Sequence, residues 1–218
     1  MDRREFLRKG IAATGAAASA STALAGGESK FAAPIPRRRL GKTGVDLSIL
    51  GFGGIVVMNA EQSAANNIVA EAIDRGINYF DVAPSYGDAQ ERLGPALASY
   101  RDRVFLASKT MRRDKAGAAG ELEGTLDALH TDHFDLYQLH ALTKMEDLDQ
   151  ALGPSGAMET FVAARKEGKV RFIGFSAHSV EVALAALDRF AFDTILFPFN
   201  FVLFSQANFG PQVLERVQ

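Results

Sequence analysis

The 218-residue chain contains no cysteine, which excludes disulfides, thiolate chemistry and cysteine-ligated metal sites. A chain without cysteine is compatible with any redox compartment. Charge of one sign is also lacking. The formal net charge is -2, and without a basic excess nothing marks a nucleic-acid surface. Long, strongly apolar runs are missing too. A membrane-spanning helix needs about 20 such residues. The best N-terminal stretch, 11–24, is rich in Ala, Ser and Thr, so no stable membrane anchor is expected. What remains is 47% hydrophobic and 23% charged, an ordinary globular composition with room for one good-sized core or two small ones.

The first residues differ from the rest. Arg3 and Arg4 lie in a charged start, Phe6 and Leu7 follow, and Ala23-Leu24-Ala25 offers small residues where a signal peptidase reads. This layout resembles a twin-arginine export signal over 1–25, an address read by the Tat export machinery. It implies export of the protein to the periplasm. Residues 26–37 read as a linker, with Pro34 and Pro36.

From residue 38 onward, short apolar runs alternate with amphipathic stretches. The runs are 47–52, 78–82, 104–108, 134–140, 171–176 and 194–199. Each is β-branched or aromatic and nearly continuous in apolarity, as parallel strands buried on both faces are. Helical periodicity appears at 64–75, 90–99, 120–130, 157–167, 180–190 and 208–217, with Ser63 an expected N-cap and Gly76 an expected C-cap of the first. Strand followed by helix, repeated, means an α/β protein with a parallel sheet. Two architectures fit: an open doubly wound sheet or a (β/α)8 barrel. Gly51-Phe52-Gly53-Gly54 lacks the third glycine of the G-x-G-x-x-G turn that the open sheet would carry. Polar residues collect instead at strand ends: Asp81, Lys109, His140, Ser176 and Asn200. A TIM barrel brings such ends into one ring, where barrel active sites lie. The segment 39–46, with its Gly-Lys-Thr-Gly turn, is expected to form a hairpin closing the barrel bottom.

Asp81, Tyr86, Lys109 and His140 follow consecutive strands. A phenol gives up its proton poorly at neutral pH, and an adjacent ammonium favours the phenolate. Lys109 can supply that charge, Asp81 can hold the ammonium in place, and His140 can orient a carbonyl oxygen. The set forms a proton donor aimed at a carbonyl, as hydride transfer requires. Gly53 and Gly54 would allow close backbone approach to a cofactor, and a tight strand end explains them equally. His130, Asp132 and His133 cluster at the opposite end from His140, so no metal site is expected there. Residues 112–115 read as a charged loop after the third strand, with a solvated loop favoured over a phosphate contact.

GINYFDVAPSYG (76–87), LASKT (106–110), FDLYQLH (134–140) and GKVRFIGFSAHS (168–179) resemble the aldo-keto reductase family in order and spacing, over about residue 38 to the end. The later stretch FPFNFVLFSQANFGPQVLE looks like a bacterial subgroup. The resemblance implies a TIM barrel without a dinucleotide-binding domain. It also implies reduction of a small-molecule aldehyde or ketone to an alcohol, with NADPH as the usual cofactor and NADH as the other option. By that resemblance Tyr86 is the general acid, tuned by Lys109. Asp81 pairs with Lys109 and lies by the nicotinamide ribose. His140 positions the substrate carbonyl, and Ser176 and Asn200 belong to the cofactor site. The family's asparagine after the serine is Ala177 here, and Leu196 stands where glutamine is frequent. His178 could replace a contact, though capping the next helix is the favoured reading. Only about six βα units are counted, so the chain reads as truncated at its C-terminus. The alternative function is therefore a non-catalytic member that holds cofactor or regulates.

Overall fold

The computed structural model describes residues 35–218. The expected export signal, 1–25, and most of the expected linker lie outside the described residues. The linker's last residues do not form a linker. Ile35 N–H donates to the Arg75 carbonyl at 3.2 Å, and Arg37 opens a strand.

Strands β1 (Arg37–Arg39) and β2 (Asp46–Ser48) form the expected antiparallel hairpin. Asn78, just before β4, ties the hairpin to the sheet bottom through the Ser48 N–H at 2.7 Å and the Asp46 carbonyl at 3.0 Å. The sheet itself comprises β3 (Phe52–Gly53), β4 (Tyr79–Asp81), β5 (Phe105–Thr110), β6 (Phe134–Leu142), β7 (Val170–Ala177) and β8 (Thr194–Leu196). All six are parallel and lie in sequence order. The result is a curled six-stranded part of a (β/α)8 barrel, in which β3 and β8 do not pair with each other. The apolar run at 47–52 thus divides between hairpin and sheet. Ser48 Oγ donates to the Leu50 carbonyl at 2.7 Å and turns the chain between them.

Side-chain alternation sorts each strand into two layers. Phe80, Leu106, Tyr137, Leu139, Ile173 and Phe175 point outward into the main core under the helices. Tyr79, Phe105, Ala107, Leu136 and Phe172 point inward, where they pack with Leu40, Val45 and Leu47 of the hairpin. On β4, β5 and β6 the next inward positions, Asp81, Lys109 and Gln138, are polar and form the site.

Helix α1 (Gln62–Asp74) buries Ala65, Val69, Ala72 and Ile73 on one stripe. It begins before Ser63 because the Glu61 carbonyl already accepts from Ala65 N–H, and Gln62 Nε2 anchors the first turn to the Arg92 carbonyl at 2.9 Å. Gly76, at φ 96°, ends it as expected. Helix α2 is Ala89–Leu97. Helix α3 (Lys115–Ala128) starts earlier than its apolar stripe, because Asp114 accepts from Gly117 N–H at 2.7 Å and caps it. Helix α4 (Met145–Leu152) is not expected from sequence; its short span buries only Leu148 and Ala151. Helix α5 is Ala157–Lys166 and α6 is Val180–Arg189. Ser179 caps α6, and the preceding His178 does not. The last two are α7 (Phe201–Gln206) and α8 (Pro211–Val217).

Candidate active site

The C-terminal ends of β4, β5 and β6 bring four sequence-selected residues together. Asp81 ends β4, and Lys109 sits one residue from the end of β5. A tight turn after β4, in which Tyr86 N–H donates to the Ala83 carbonyl at 3.0 Å, folds Tyr86 back over the sheet. His140 lies near the end of β6.

Lys109 is 1% exposed, and its ammonium donates to Asp81 Oδ1 and, at 3.0 Å, to Tyr86 Oη. The same nitrogen lies 4.9 Å from the centre of the Tyr86 ring. A charge this buried is tolerated because it is both paired and hydrogen-bonded. The His140 ring meets the Tyr86 ring edge to face, 6.0 Å between centres. Burial, then the charges of Lys109, Arg113 and His178, push the His140 imidazole down to about 4. It is therefore neutral at ordinary pH.

Three further residues belong to the cluster and escaped the sequence reading. Tyr79 Oη donates to Asp81 Oδ2 at 3.2 Å. Burial and then the Asp81 charge push this phenol up, so it stays a donor. Gln138 Nε2 lies 3.4 Å from the same carboxylate oxygen. Both stand two residues before a selected residue, Asp81 or His140, and period-two spacing would have placed them on the inward face. The third is Arg113, which is 7% exposed rather than solvated. It donates to the His140 carbonyl at 2.6 Å and the Thr110 carbonyl at 3.3 Å.

The residues selected for a cofactor are differently engaged. Gly53 is exposed, and an added Cβ would meet only Ile55, at 4.0 Å. Gly54 is buried, and a Cβ there would lie 2.8 Å from Val82. Packing thus accounts for Gly54, while Gly53 leaves open space for a ligand. Ser176 Oγ accepts from Ala141 N–H at 2.7 Å, which leaves its own proton to donate. Asn200 Oδ1 accepts from Leu203 N–H at 2.9 Å and caps α7. Leu196 is 44% exposed on β8. Among the described residues there is no group of three or more His, Asp or Glu placed to hold a metal.

Residues 50–208 match the profile of the Aldo/keto reductase family. An oxidoreductase of Bacillus subtilis, YqkF, described as uncharacterized, is 32% identical over 155 residues, covering 65% of this chain and 48% of its own length. The L-galactose dehydrogenase of Arabidopsis thaliana is 29% identical over 71% of this chain and 52% of its own. Among solved structures, the holo form of the aldo-keto reductase AKR11C1 from Bacillus halodurans superposes with a TM-score of 0.72 at 27% identity, covering 84% of this chain and 63% of that one. The chain spans about half the length of the curated relatives it matches.

Proposed function

Because the chain belongs to the aldo/keto reductase family, we propose that its site reduces a small aldehyde or ketone to an alcohol, using a nicotinamide dinucleotide, NADPH or NADH. The observation that carries this reading is the Lys109 ammonium, buried against Asp81 and 3.0 Å from the Tyr86 hydroxyl. A phenol so placed is a proton donor whose conjugate base is already matched by a cation.

The bound cofactor supplies the hydride. This chain supplies the proton and the geometry. Tyr86 donates a hydrogen bond to the carbonyl oxygen and passes its proton as negative charge develops there. The Lys109 ammonium stabilises the phenolate left behind. Asp81 keeps that ammonium aimed, and Tyr79 and Gln138 occupy the carboxylate oxygen that Lys109 does not. His140 is neutral above about pH 4, so it orients the carbonyl as a hydrogen-bond donor without competing as an acid. The nicotinamide end of the cofactor fits the residues present. Gly53 leaves backbone open to a flat ring, Asp81 stands beside Gly53 in the sheet, and the Ser176 hydroxyl keeps a proton to donate.

The test is Tyr86→Phe, assayed for NADPH binding by fluorescence and for turnover on a panel of aldehydes and ketones. Turnover should fall about 10²- to 10⁴-fold, as loss of a general acid does, while cofactor affinity stays within about twofold of the parent protein. Retained turnover would remove Tyr86 from the role. A parent protein that binds NADPH and reduces no carbonyl would favour a cofactor-holding, non-catalytic member of the family.

A further inference from the structure

We propose that Arg113 and Ser176 are positioning residues that clamp a β-bulge in β6, and that this clamp sets the place of the His140 ring in the site. The inference rests on His140 orienting the carbonyl, as argued above.

The register shows the bulge. Leu139 pairs with Phe175, but Leu142 pairs with Ala177. Three steps along β6 match two along β7, so one extra residue is inserted at His140-Ala141. Ala141 takes φ 54°, the left-handed region that a residue with a Cβ rarely adopts. Its methyl group offers no polar atom to support that conformation.

An inserted residue leaves backbone groups without ladder partners, and buried backbone groups need partners. The two groups at stake are the His140 carbonyl and the Ala141 N–H. Each is met by a side chain from outside the strand. Arg113 Nη2 donates to the His140 carbonyl at 2.6 Å. Ser176 Oγ, on β7, accepts from Ala141 N–H at 2.7 Å. The ladder resumes when His178 N–H donates to the Leu142 carbonyl at 3.1 Å.

Arg113 is an expensive way to fill space. Its guanidinium is 7% exposed, and its nearest carboxylate, Asp147, lies 3.6 Å away at 38% exposure. Its Nε is buried without a partner. An aliphatic side chain would fill the same volume without desolvating a charge. What the aliphatic chain could not do is join the Thr110 and His140 carbonyls, the end of the strand carrying Lys109 and the bulge carrying His140. A rigid planar fork bridges two carbonyls in a way that a lysine ammonium does not. The bulge in turn presents the His140 ring edge to face with Tyr86.

The experiment follows the imidazole Cε1 signals of the full chain by NMR, with the His140 signal identified by its loss in His140→Asn. Two quantities are read: the titration midpoint of His140, and its ring-current displacement by Tyr86, calibrated with Tyr86→Leu. The groups facing His140 are Tyr86, Lys109, Arg113 and His178, with Asp147 behind Arg113. In Arg113→Met the midpoint should rise from about 4 toward the ordinary imidazole range, and the displacement should shrink. In Arg113→Lys, which keeps the charge and loses the fork, the midpoint should hold while the displacement shrinks. Ser176→Ala should also shrink the displacement. In turnover, Arg113→Lys should lower kcat about tenfold with cofactor affinity unchanged. A folded Arg113→Met with the displacement at its parental value overturns the clamp, whatever the midpoint does, because loss of the charge alone raises the midpoint. If that variant does not fold, an unchanged displacement in Arg113→Lys overturns it. A parent protein without turnover would sink the reductase reading and leave the NMR result standing on its own.

Discussion

Two sets of polar side chains occupy the same end of the sheet and are engaged in different ways. Lys109 donates to both Asp81 and Tyr86, with Tyr79 and Gln138 joining through Asp81. Ser176 and Asn200 bond instead to backbone N–H groups, one at a bulge and one at a helix cap. The first set is deep, with Lys109 at 1% exposure, and removal of any member strands a buried partner. In the second, each residue has a local task that other small polar residues could perform. A mutually bonded cluster is therefore the better guide to chemistry than polar residues that share only a location.

The comparison breaks most directly at Lys109. Lys109→Met leaves the Asp81 carboxylate, 14% exposed, without its cation. A loss of about 3–5 kcal/mol in folding stability is expected, together with loss of turnover, measured by urea unfolding and steady-state kinetics. A variant as stable as the parent would mean the first set is no more interdependent than the second.

A smaller effect comes from pH. The His140 imidazole is held down to about 4 in the folded protein, against 6.5 ordinarily, by burial and then by Lys109, Arg113 and His178. Between those values the unfolded chain binds a proton that the folded chain refuses. Stability should therefore fall as pH drops through that window and be indifferent to this group above it. His140→Asn should flatten the slope in denaturant titrations across the window. An unchanged slope would assign the acid sensitivity to other groups.

The smallest effect sharpens the second set. Asn200→Ala should cost about 1 kcal/mol or less as a lost N-cap, and Asn200→Asp should restore it. If cofactor affinity follows the same pattern, Asn200 acts through the helix. If affinity falls in both variants, its amide reaches the cofactor.

Much of this architecture was legible in the residues. The runs at 78–82, 104–108, 134–140 and 171–176 are apolar, flanked by turn residues and long enough to read. Each coincides with a parallel strand of the sheet. The outer strands were less legible. Apolarity at 47–52 cannot show that Leu47 faces the hairpin side of the lumen while Phe52 joins the sheet. Apolarity at 194–199 extends past the pairing of β8, which ends at Leu196. Arg113 was misread because a run of charges ordinarily lies in water. The bulge in β6, formed by residues far along the chain, gives the Arg113 guanidinium the His140 carbonyl to bind beside that of Thr110.

The sequence by itself determined the alternation of strand and helix, the inward period of each strand, and the types of chemistry at the strand ends. These follow from side-chain periodicity and from which residues can donate, accept or carry charge. Tertiary structure alone decided which polar atoms meet. It turned Tyr86 back onto Lys109, joined Tyr79 to Asp81, and bound Ser176 and Asn200 to backbone. It decided these because a hydrogen bond depends on distance and direction to within a fraction of an ångström, and those are set by packing between segments distant in the chain.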